Sequence, residues 1–248
     1  MKNYLRCLVV AIAAATPSLG LAQTVLANWT FETSIPVVTG AASGSYAAEG
    51  GVNATSSFAS GLHTSASTAY SSPAGNGSAH SFSSNNWSVG NYYQFTTSTI
   101  GFSNIKVVWD QFGSGTGPLN FDLQYSIDGT NFTSAVNGTG PGTSAGSGYT
   151  VLSTPSWSSS TAQTAETYTF DLSSITTLNE AATVTFRLVD TSTTSINNGT
   201  VATTGTGRVD NFTITSVPEP STYAAIFGGV ALAGAFWQRH RSRKIATA

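Results

Sequence analysis

The stretch "LNFDLQYSIDGTNFT", residues 119–133, carries the clearest local fold signal in this chain. Leu119–Ser126 has the residue pattern of a β-strand. Asp128 and Gly129 follow it, and both residue types tolerate the positive φ that tight hairpin turns require. The stretch therefore predicts a strand that turns back on itself to pair antiparallel.

Similar strand signals recur along the chain. Residues 25–32 alternate between two faces with period two, as in a strand with one buried side. Further signals lie at Ala79–Ser83, Tyr92–Thr97, Ile105–Phe112, Tyr149–Ser153, Thr167–Leu172, Thr183–Val189 and Arg208–Thr215. About nine short strands without long amphipathic helices predict an all-β, antiparallel two-sheet sandwich of jelly-roll type over residues 23–216. Within it, residues 34–77 are rich in Gly, Ala and Ser and are predicted to be loop-rich.

The first 22 residues have the features of a cleavable signal peptide. Lys2 and Arg6 precede an apolar run, and the segment ends in the small-residue exit Gly20-Leu21-Ala22. Cleavage after Ala22 would remove Cys7, the only cysteine of the chain. The exported protein is therefore expected to have no disulfide and no thiolate chemistry.

The charge of the central region restricts its partners. Residues 23–216 contain ten acidic and three basic side chains, a net charge of −7. Nucleic acid is therefore excluded as a partner, because binding to phosphates requires clustered Lys and Arg.

The C-terminal residues 217–244 differ sharply from everything before them. Pro218-Glu219-Pro220 is followed by an uncharged segment, residues 221–237, which is just long enough to cross a bilayer as a helix. A basic tail, residues 239–244, follows, and its positive side chains are Arg239, Arg241, Arg243 and Lys244. Positive charge beside an apolar span tends to stay in the cytoplasm, so the sandwich is expected outside.

This tripartite terminus resembles a PEP-CTERM sorting signal. In that family an exosortase, an inner-membrane enzyme of Gram-negative bacteria, recognises the tail and processes the protein near the PEP motif. The resemblance implies that the enzyme recognises Pro218, Glu219 and Pro220. It also implies transient anchoring in the inner membrane, followed by delivery to the cell surface or the exopolysaccharide matrix.

Catalytic signals are sparse in the predicted sandwich. His63 and His80 lie among Ser, Ala and Gly and are predicted to be surface histidines, and no nucleophile-elbow or His-Glu-x-x-His motif occurs. A glycosidase needs only two suitably separated carboxyl groups, and ten acids are present, but none has a distinguishing context. The chain is therefore predicted not to be an enzyme, with a secreted hydrolase as the least favoured alternative.

Two acids are candidates for a calcium site. Glu32 ends the first strand and Asp210 lies in the last one, and these strands are neighbours in the jelly-roll carbohydrate-binding modules that the domain weakly resembles. The resemblance implies a structural calcium held there by carboxylates and backbone carbonyls, the ligands that Ca²⁺ prefers. The alternative is that these acids pair with Arg208, Arg187 or solvent.

Sugar binding would use exposed aromatic faces. The candidates are Trp87, Tyr92, Tyr93, Trp109 and Trp157. Trp87 and Trp157 lie in loop-like surroundings and are the two chosen as stacking platforms, whereas Trp109, in "IKVVWDQF", is predicted to be in the core. The primary functional prediction is an exported, non-enzymatic surface or matrix protein. The alternative is a calcium-stabilised carbohydrate-binding module, with exopolysaccharide as a partner that fits both.

Overall fold

A computed structural model describes residues 23–136, 138–143 and 148–218, together with Gly228 and Leu232. The described residues up to Pro218 form strands, turns and two single 3₁₀ turns, Ala54–Ser56 and Thr176–Leu178, and Gly228 and Leu232 are helical. The strands are β1 (Thr24–Trp29), β2 (Val38–Thr39), β3 (Tyr46–Ala47), β4 (Phe58–Leu62), β5 (Ala69–Ser71), β6 (Phe82–Ser84), β7 (Tyr92–Thr97), β8 (Phe102–Gly113), β9 (Asn120–Ser126), β10 (Thr133–Ser134), β11 (Gly138–Thr139), β12 (Gly148–Thr150), β13 (Thr167–Asp171), β14 (Val184–Asp190) and β15 (Gly207–Pro218).

The strands form two antiparallel sheets. The first sheet has the order β11-β13-β8-β15-β6-β5-β2, with β1 also paired to β15. The second sheet has the order β10-β9-β14-β7-β4-β3, with β12 also paired to β9. This confirms the predicted all-β, two-sheet antiparallel sandwich, while the narrower jelly-roll assignment stays a prediction.

Several strand boundaries follow the sequence pattern closely. β7 has the predicted limits, Tyr92–Thr97, and β1 and β15, the first and last strands, are paired neighbours. Residues 34–77, predicted to be loop-rich, contain four short strands, β2–β5, among longer connections. Short strands with few large side chains give little periodicity from which to recognise them.

The core between the sheets is mainly aromatic. The rings of Phe95 and Phe212 come from opposite sheets and stack with centroids 3.5 Å apart, and Trp29 meets both rings edge-on. Trp109 is fully buried, as predicted, and stacks on Tyr168. Burying each such side chain stabilises the fold by roughly 1.5–3 kcal/mol.

Two loop segments, residues 72–81 and 152–166, cover one end of the outer face of the first sheet. Trp157 of the second segment packs on Phe112 of β8, and Asn76 of the first donates its backbone N–H to Asp210 of β15. Asn76 also links the two segments, because its amide nitrogen donates to the Gln163 carbonyl oxygen and its amide oxygen accepts the Gln163 N–H. On the outer face of the second sheet, Gln94, Gln124 and Arg187 are half-buried, whereas Asp122 and Thr185 are buried.

Several predicted segments lie outside the described residues. They are the signal peptide at residues 1–22, the motif residues Glu219 and Pro220, most of the predicted span at residues 221–237 and the basic tail at residues 239–244. In the described part of the chain, no helix has the length and apolar character needed to cross a bilayer.

Candidate functional site

A row of polar side chains crosses the outer face of the second sheet. We call it the polar row, and its members are Ser60 (β4), Gln94 (β7), Arg187 (β14), Gln124 (β9) and Ser134 (β10). Each is the register partner of the next across five adjacent strands. Because side chains alternate across a strand, the flanking residues on each strand point into the core while the row points outward. With strands about 4.8 Å apart, the row is roughly 19 Å long.

Arg187 is the centre of the polar row. Its guanidinium carbon lies 4.0 Å from the centroid of the Tyr92 ring and 3.6 Å from that of Phe132. Its Nε donates to Gln94 Oε1 at 2.8 Å, and no carboxylate of the described residues forms a salt bridge with it. The two rings stabilise a planar cation that lacks a counter-ion and hold it in one orientation.

Carboxylate and amide groups continue this surface on β9. Asp122 Oδ2 accepts from Gln124 Nε2 at 3.3 Å and from the Ser134 hydroxyl. Asp122 Oδ1 has no hydrogen-bond partner in the described part of the chain. The outer face therefore presents a guanidinium group, two amides and two hydroxyls beside the half-buried rings of Tyr92 and Phe132, and the buried carboxylate of Asp122 supports Gln124 and Ser134.

This combination suits a ligand rich in hydroxyl groups. Planar amide, guanidinium and carboxylate groups bond pairs of neighbouring hydroxyls, and aromatic carbon covers the apolar parts of a sugar ring. The arrangement holds no nucleophile activated by a base, and its elongated shape fits an extended chain better than a compact molecule.

Trp157, predicted as a stacking platform, instead lies buried in the loop that covers one end of the first sheet. Only 7% of it is exposed, and its ring packs on Phe112. Its Nε1 donates to the buried carboxylate Oε2 of Glu166 at 2.7 Å. A ring enclosed in this way has no free face for a sugar, because its own loop folds back onto the sheet.

Trp87 and His63, both predicted to be accessible, are buried together. Trp87 is 5% exposed and its ring centroid lies 4.4 Å from that of His63, which is 3% exposed. The prediction of a surface histidine is therefore wrong for His63, and burial lowers the pKa of its imidazole to about 4. His80, the second histidine, is half-buried.

Glu32 and Asp210 both reach the loop at residues 75–80, as the calcium hypothesis requires. Glu32 Oε1 accepts the His80 backbone N–H at 2.8 Å. Asp210 Oδ2 accepts from the Asn76 backbone N–H at 2.9 Å and from Ser78 Oγ at 2.7 Å. Neither acid forms a salt bridge with an arginine in the described ranges, so the predicted alternative pairing with Arg208 or Arg187 does not occur.

The oxygens around Gly75 are of the types that calcium prefers. A Cβ added at Gly75 would overlap three of them, namely the His80 carbonyl oxygen, Ser78 Oγ and Asp210 Oδ2. The residues therefore fit a calcium ligand set in chemistry. No group of three His, Cys, Asp or Glu side chains in the described ranges could hold a metal, so carbonyl and hydroxyl oxygens would have to complete the site.

Two more acids lie beside Asp210 under the covering loops. Asp110 is the cross-strand partner of Asp210, and its Oδ2 accepts from Asn211 Nδ2 at 2.9 Å. Burial raises the pKa of Asp210 and of Glu166 to about 7, and the charge of Asp110 adds to both shifts. Asp110, Glu166 and Asp210 are all buried, so a glycosidic bond has no access to a carboxylate pair here.

The polar row was not predicted from sequence, although part of its signal is present there. "YYQFTT" on β7 and "VTFRLVD" on β14 place Gln94 and Arg187 on the face opposite the core residues. The sequence pattern does not reveal the strand register that aligns Gln94, Arg187 and Gln124. It also does not reveal the loop conformation that brings Phe132 onto Arg187.

Comparisons with known proteins give remote structural neighbours. No protein-family model and no curated protein matches this chain. A crystal structure of the CBM22-1 and GH10 modules of an endo-1,4-beta-D-xylanase from Clostridium thermocellum, with xylohexaose, matches with a TM-score of 0.41 at 15% identity. That match covers 78% of this chain but only 28% of the xylanase chain.

Two carbohydrate-binding modules also match. The CBM22-2 xylan-binding domain of Paenibacillus barcinonensis Xyn10C has 12% identity and a TM-score of 0.38, with 79% of this chain and 99% of that one covered. TmCBM61, in complex with beta-1,4-galactotriose, has 9% identity and a TM-score of 0.31, with coverages of 64% and 88%. These likenesses are remote in sequence and in geometry, so the functional inference has to rest on the sheet face.

Proposed function

We propose that the described domain is a non-catalytic carbohydrate-binding module that binds an extended polysaccharide along the polar row. The observation that carries this proposal is Arg187, a cation without a described carboxylate partner, fixed between Tyr92 and Phe132 on an accessible sheet face. A guanidinium group fixed in one orientation donates to sugar oxygens without first losing conformational freedom.

The proposal is tested by affinity gel electrophoresis of the full chain against soluble polysaccharides. Xylan and β-1,4-galactan are reasonable first probes, together with the exopolysaccharide of the producing bacterium. Arg187→Ala is expected to weaken binding at least about tenfold, because a charged hydrogen bond contributes about 1.5–3 kcal/mol. Lys106→Ala, which removes a cation from the first sheet, is the matched control and should bind normally. Equal retardation of wild type and Arg187→Ala by a binding polymer would refute the proposed site.

Calcium is the proposed stabiliser of this module. Asp210 and Glu32 would hold it with Ser78 Oγ and the His80 carbonyl oxygen, and the ion would tie β1 and β15 to the loop at residues 75–80. Added CaCl₂ should then raise the thermal unfolding midpoint of wild type more than MgCl₂ does, and Asp210→Asn should lose that difference. The same response to both salts would contradict calcium binding.

The C-terminal residues support a second, compatible role as an exosortase substrate. β15 ends at Pro218, the first residue of the Pro218-Glu219-Pro220 motif, so cleavage within or after the motif would leave the two sheets whole. The proposed sequence of events is export, anchoring by the tail, processing and display of the module in the envelope or extracellular polymer.

Processing is tested by the intact mass of the protein from its native host. The mature chain is expected to lack residues 237–248, and Glu219→Ala is expected to retain them. Wild type that still carries its basic tail in a host with an exosortase would contradict this role while leaving the carbohydrate proposal standing.

A further inference from the structure

A cleft of about 400 Å³ lies at one end of the sandwich, where β14 ends and the β6–β7 connection crosses it. Trp87, Val89 and Val201 supply apolar lining, and Asp190, Thr193 and Thr200 supply polar groups. This volume lies within the usual range for small-ligand sites. Asp190 is three residues beyond Arg187 on β14, so its side chain points to the opposite side of the strand from the polar row.

Asp190 has an unusual hydrogen-bond environment. Its side chain is 1% exposed, and Oδ1 accepts the Ser192 N–H at 3.2 Å. Oδ2 has no partner in the described part of the chain. Burial raises the pKa of this carboxyl to about 6, so it is still mainly ionised at neutral pH and lacks a donor. Buried carboxylate oxygens are normally paired, so an unpaired one in the wall of a cleft points to a ligand that supplies the donor.

The position of Asp190 is fixed by its backbone. Its N–H donates to the Asn91 carbonyl oxygen at 2.9 Å, and its own carbonyl accepts the Gly90 N–H at 2.9 Å. The main chain of Asp190 is therefore held at the strand end, beside the cleft.

Trp87 forms a rigid wall of the same cleft. Its Nε1 donates to the Ser84 carbonyl oxygen at 2.9 Å, and its ring meets Tyr93 and Phe121 edge-on at 5.1 and 5.3 Å. Only 5% of Trp87 is exposed, so it supplies a rigid base to the cleft and not a free ring face. Among the described residues, Asp190 is the one charged residue that lines the cleft, so an anionic ligand is disfavoured there.

We infer that this cleft is a second carbohydrate site, which takes the terminal unit of a glycan, with a sugar hydroxyl donating to Asp190 Oδ2 once a rotation of this side chain exposes that buried oxygen. The apolar face of the sugar would pack on Val89 and Val201, and Thr193 and Thr200 would bond its remaining hydroxyls. The inference rests on the proposed carbohydrate function but concerns a different surface, which binds chain ends rather than the length of a polymer.

The test uses the full chain and a panel of methyl glycosides of common neutral hexoses and pentoses, measured by saturation-transfer NMR and calorimetry. At least one glycoside is expected to bind wild type. Asp190→Asn keeps the shape but replaces an acceptor by an amide donor, and it should weaken that binding at least about tenfold. Val89→Arg, at an exposed position of the rim, should abolish binding by filling the cleft. Val52→Arg, at an exposed site near β1, is its matched control and should bind as wild type does.

The results separate this inference from the proposed function. If Arg187→Ala abolishes polysaccharide binding but no glycoside of the panel binds, or binding is unchanged in Asp190→Asn and Val89→Arg, the cleft inference is wrong and the polar row stands. If glycoside binding is lost in both cleft variants while polymer binding is independent of Arg187, the cleft is a site and the polar row is not.

Discussion

At the scale of single residues, Arg187 shows how a polar side chain can be both ordered and available. Tyr92 and Phe132 cover the two faces of its guanidinium group, and Gln94 fixes its Nε. Burial lowers the pKa of Arg187, yet the group stays charged because an arginine pKa is so high. Its remaining N–H groups are therefore presented in a fixed plane.

Arg187→Lys tests whether that plane matters. Lysine keeps the charge, but its ammonium group is not planar and cannot fill the space between two rings as a guanidinium group does. Polysaccharide affinity is expected to fall about as far as in Arg187→Ala, as measured by calorimetry with the binding polymer. Full affinity in Arg187→Lys would show that charge alone is sufficient.

Trp157 has a structural role that can be measured separately from binding. Trp157→Phe removes the donor to Glu166 Oε2, and Glu166 Oε1 already has no partner in the described residues. The free energy of unfolding in urea is expected to fall by about 1–3 kcal/mol, the usual cost of leaving a buried acceptor unpaired. Polysaccharide binding should be unchanged, and a selective loss of binding would restore Trp157 as a sugar-stacking residue.

These residues also show where prediction from sequence stops. Trp109 was recognised as a core residue because it lies within a continuous apolar strand. Trp87, Trp157 and His63 lie in or near Ser-, Asn- and Gly-rich segments that resemble exposed loops, yet they are buried. Their burial depends on which loop folds over which sheet, and one-dimensional periodicity does not contain that information.

At the scale of elements, the β9–β10 connection determines the position of Phe132. The sequence predicts a tight hairpin at Asp128-Gly129, and the structure confirms the antiparallel pairing but with a six-residue loop between the strands. Gly129 adopts a φ of 72°, and Asp128 Oδ1 accepts the backbone N–H groups of Thr130 and Asn131, both at 2.8 Å. These donors hold the pKa of Asp128 well below its usual value.

Asp128→Ala is expected to loosen this loop and to remove Phe132 from Arg187. Affinity for the polysaccharide should fall several-fold while the thermal midpoint changes little, because the loop lies outside the core. Asp128→Asn keeps an acceptor for the two N–H groups and serves as the control, with affinity close to that of wild type. Unchanged affinity in Asp128→Ala would mean that Phe132 does not contribute to the site.

At the scale of the whole molecule, titratable groups whose pKa values are shifted in opposite directions by folding set the pH dependence of stability. Asp210 and Glu166, each with a pKa of about 7, are harder to ionise in the folded protein than in the unfolded chain, where acids titrate near 4. The folded state therefore binds more protons between pH 4 and 7, and stability falls as the pH rises through that interval. Each pKa unit of separation corresponds to about 1.4 kcal/mol.

Glu49 has the opposite effect on the pH dependence of stability. Burial alone would raise the pKa of its carboxyl, but hydrogen bonds from Ser34, Thr30 and Thr33 outweigh burial and lower the pKa to about 2. Its contribution is present above about pH 4 and is lost as the pH falls toward 2. His63 acts in the same direction as Glu49, because its lowered pKa of about 4 means that the unfolded chain binds more protons between pH 4 and 6.5. Asp190, Asp210 and Glu166, whose pKa values are all raised, outweigh this one group above pH 5. Without calcium, the urea midpoint is therefore expected to be greatest near pH 5 and lower at pH 3 and at pH 7.5. A midpoint that rises steadily from pH 5 to pH 7.5 would show that Asp210 and Glu166 ionise without cost.

The functional proposal places the ligand on the outer face of the second sheet, along the polar row. It is tested most directly by NMR chemical-shift mapping of the isotope-labelled full chain with an oligosaccharide of the polymer that binds. We expect the largest perturbations at Gln94, Arg187 and Gln124. Perturbations confined to the loops at residues 72–81 and 152–166 would contradict a binding site on the second sheet.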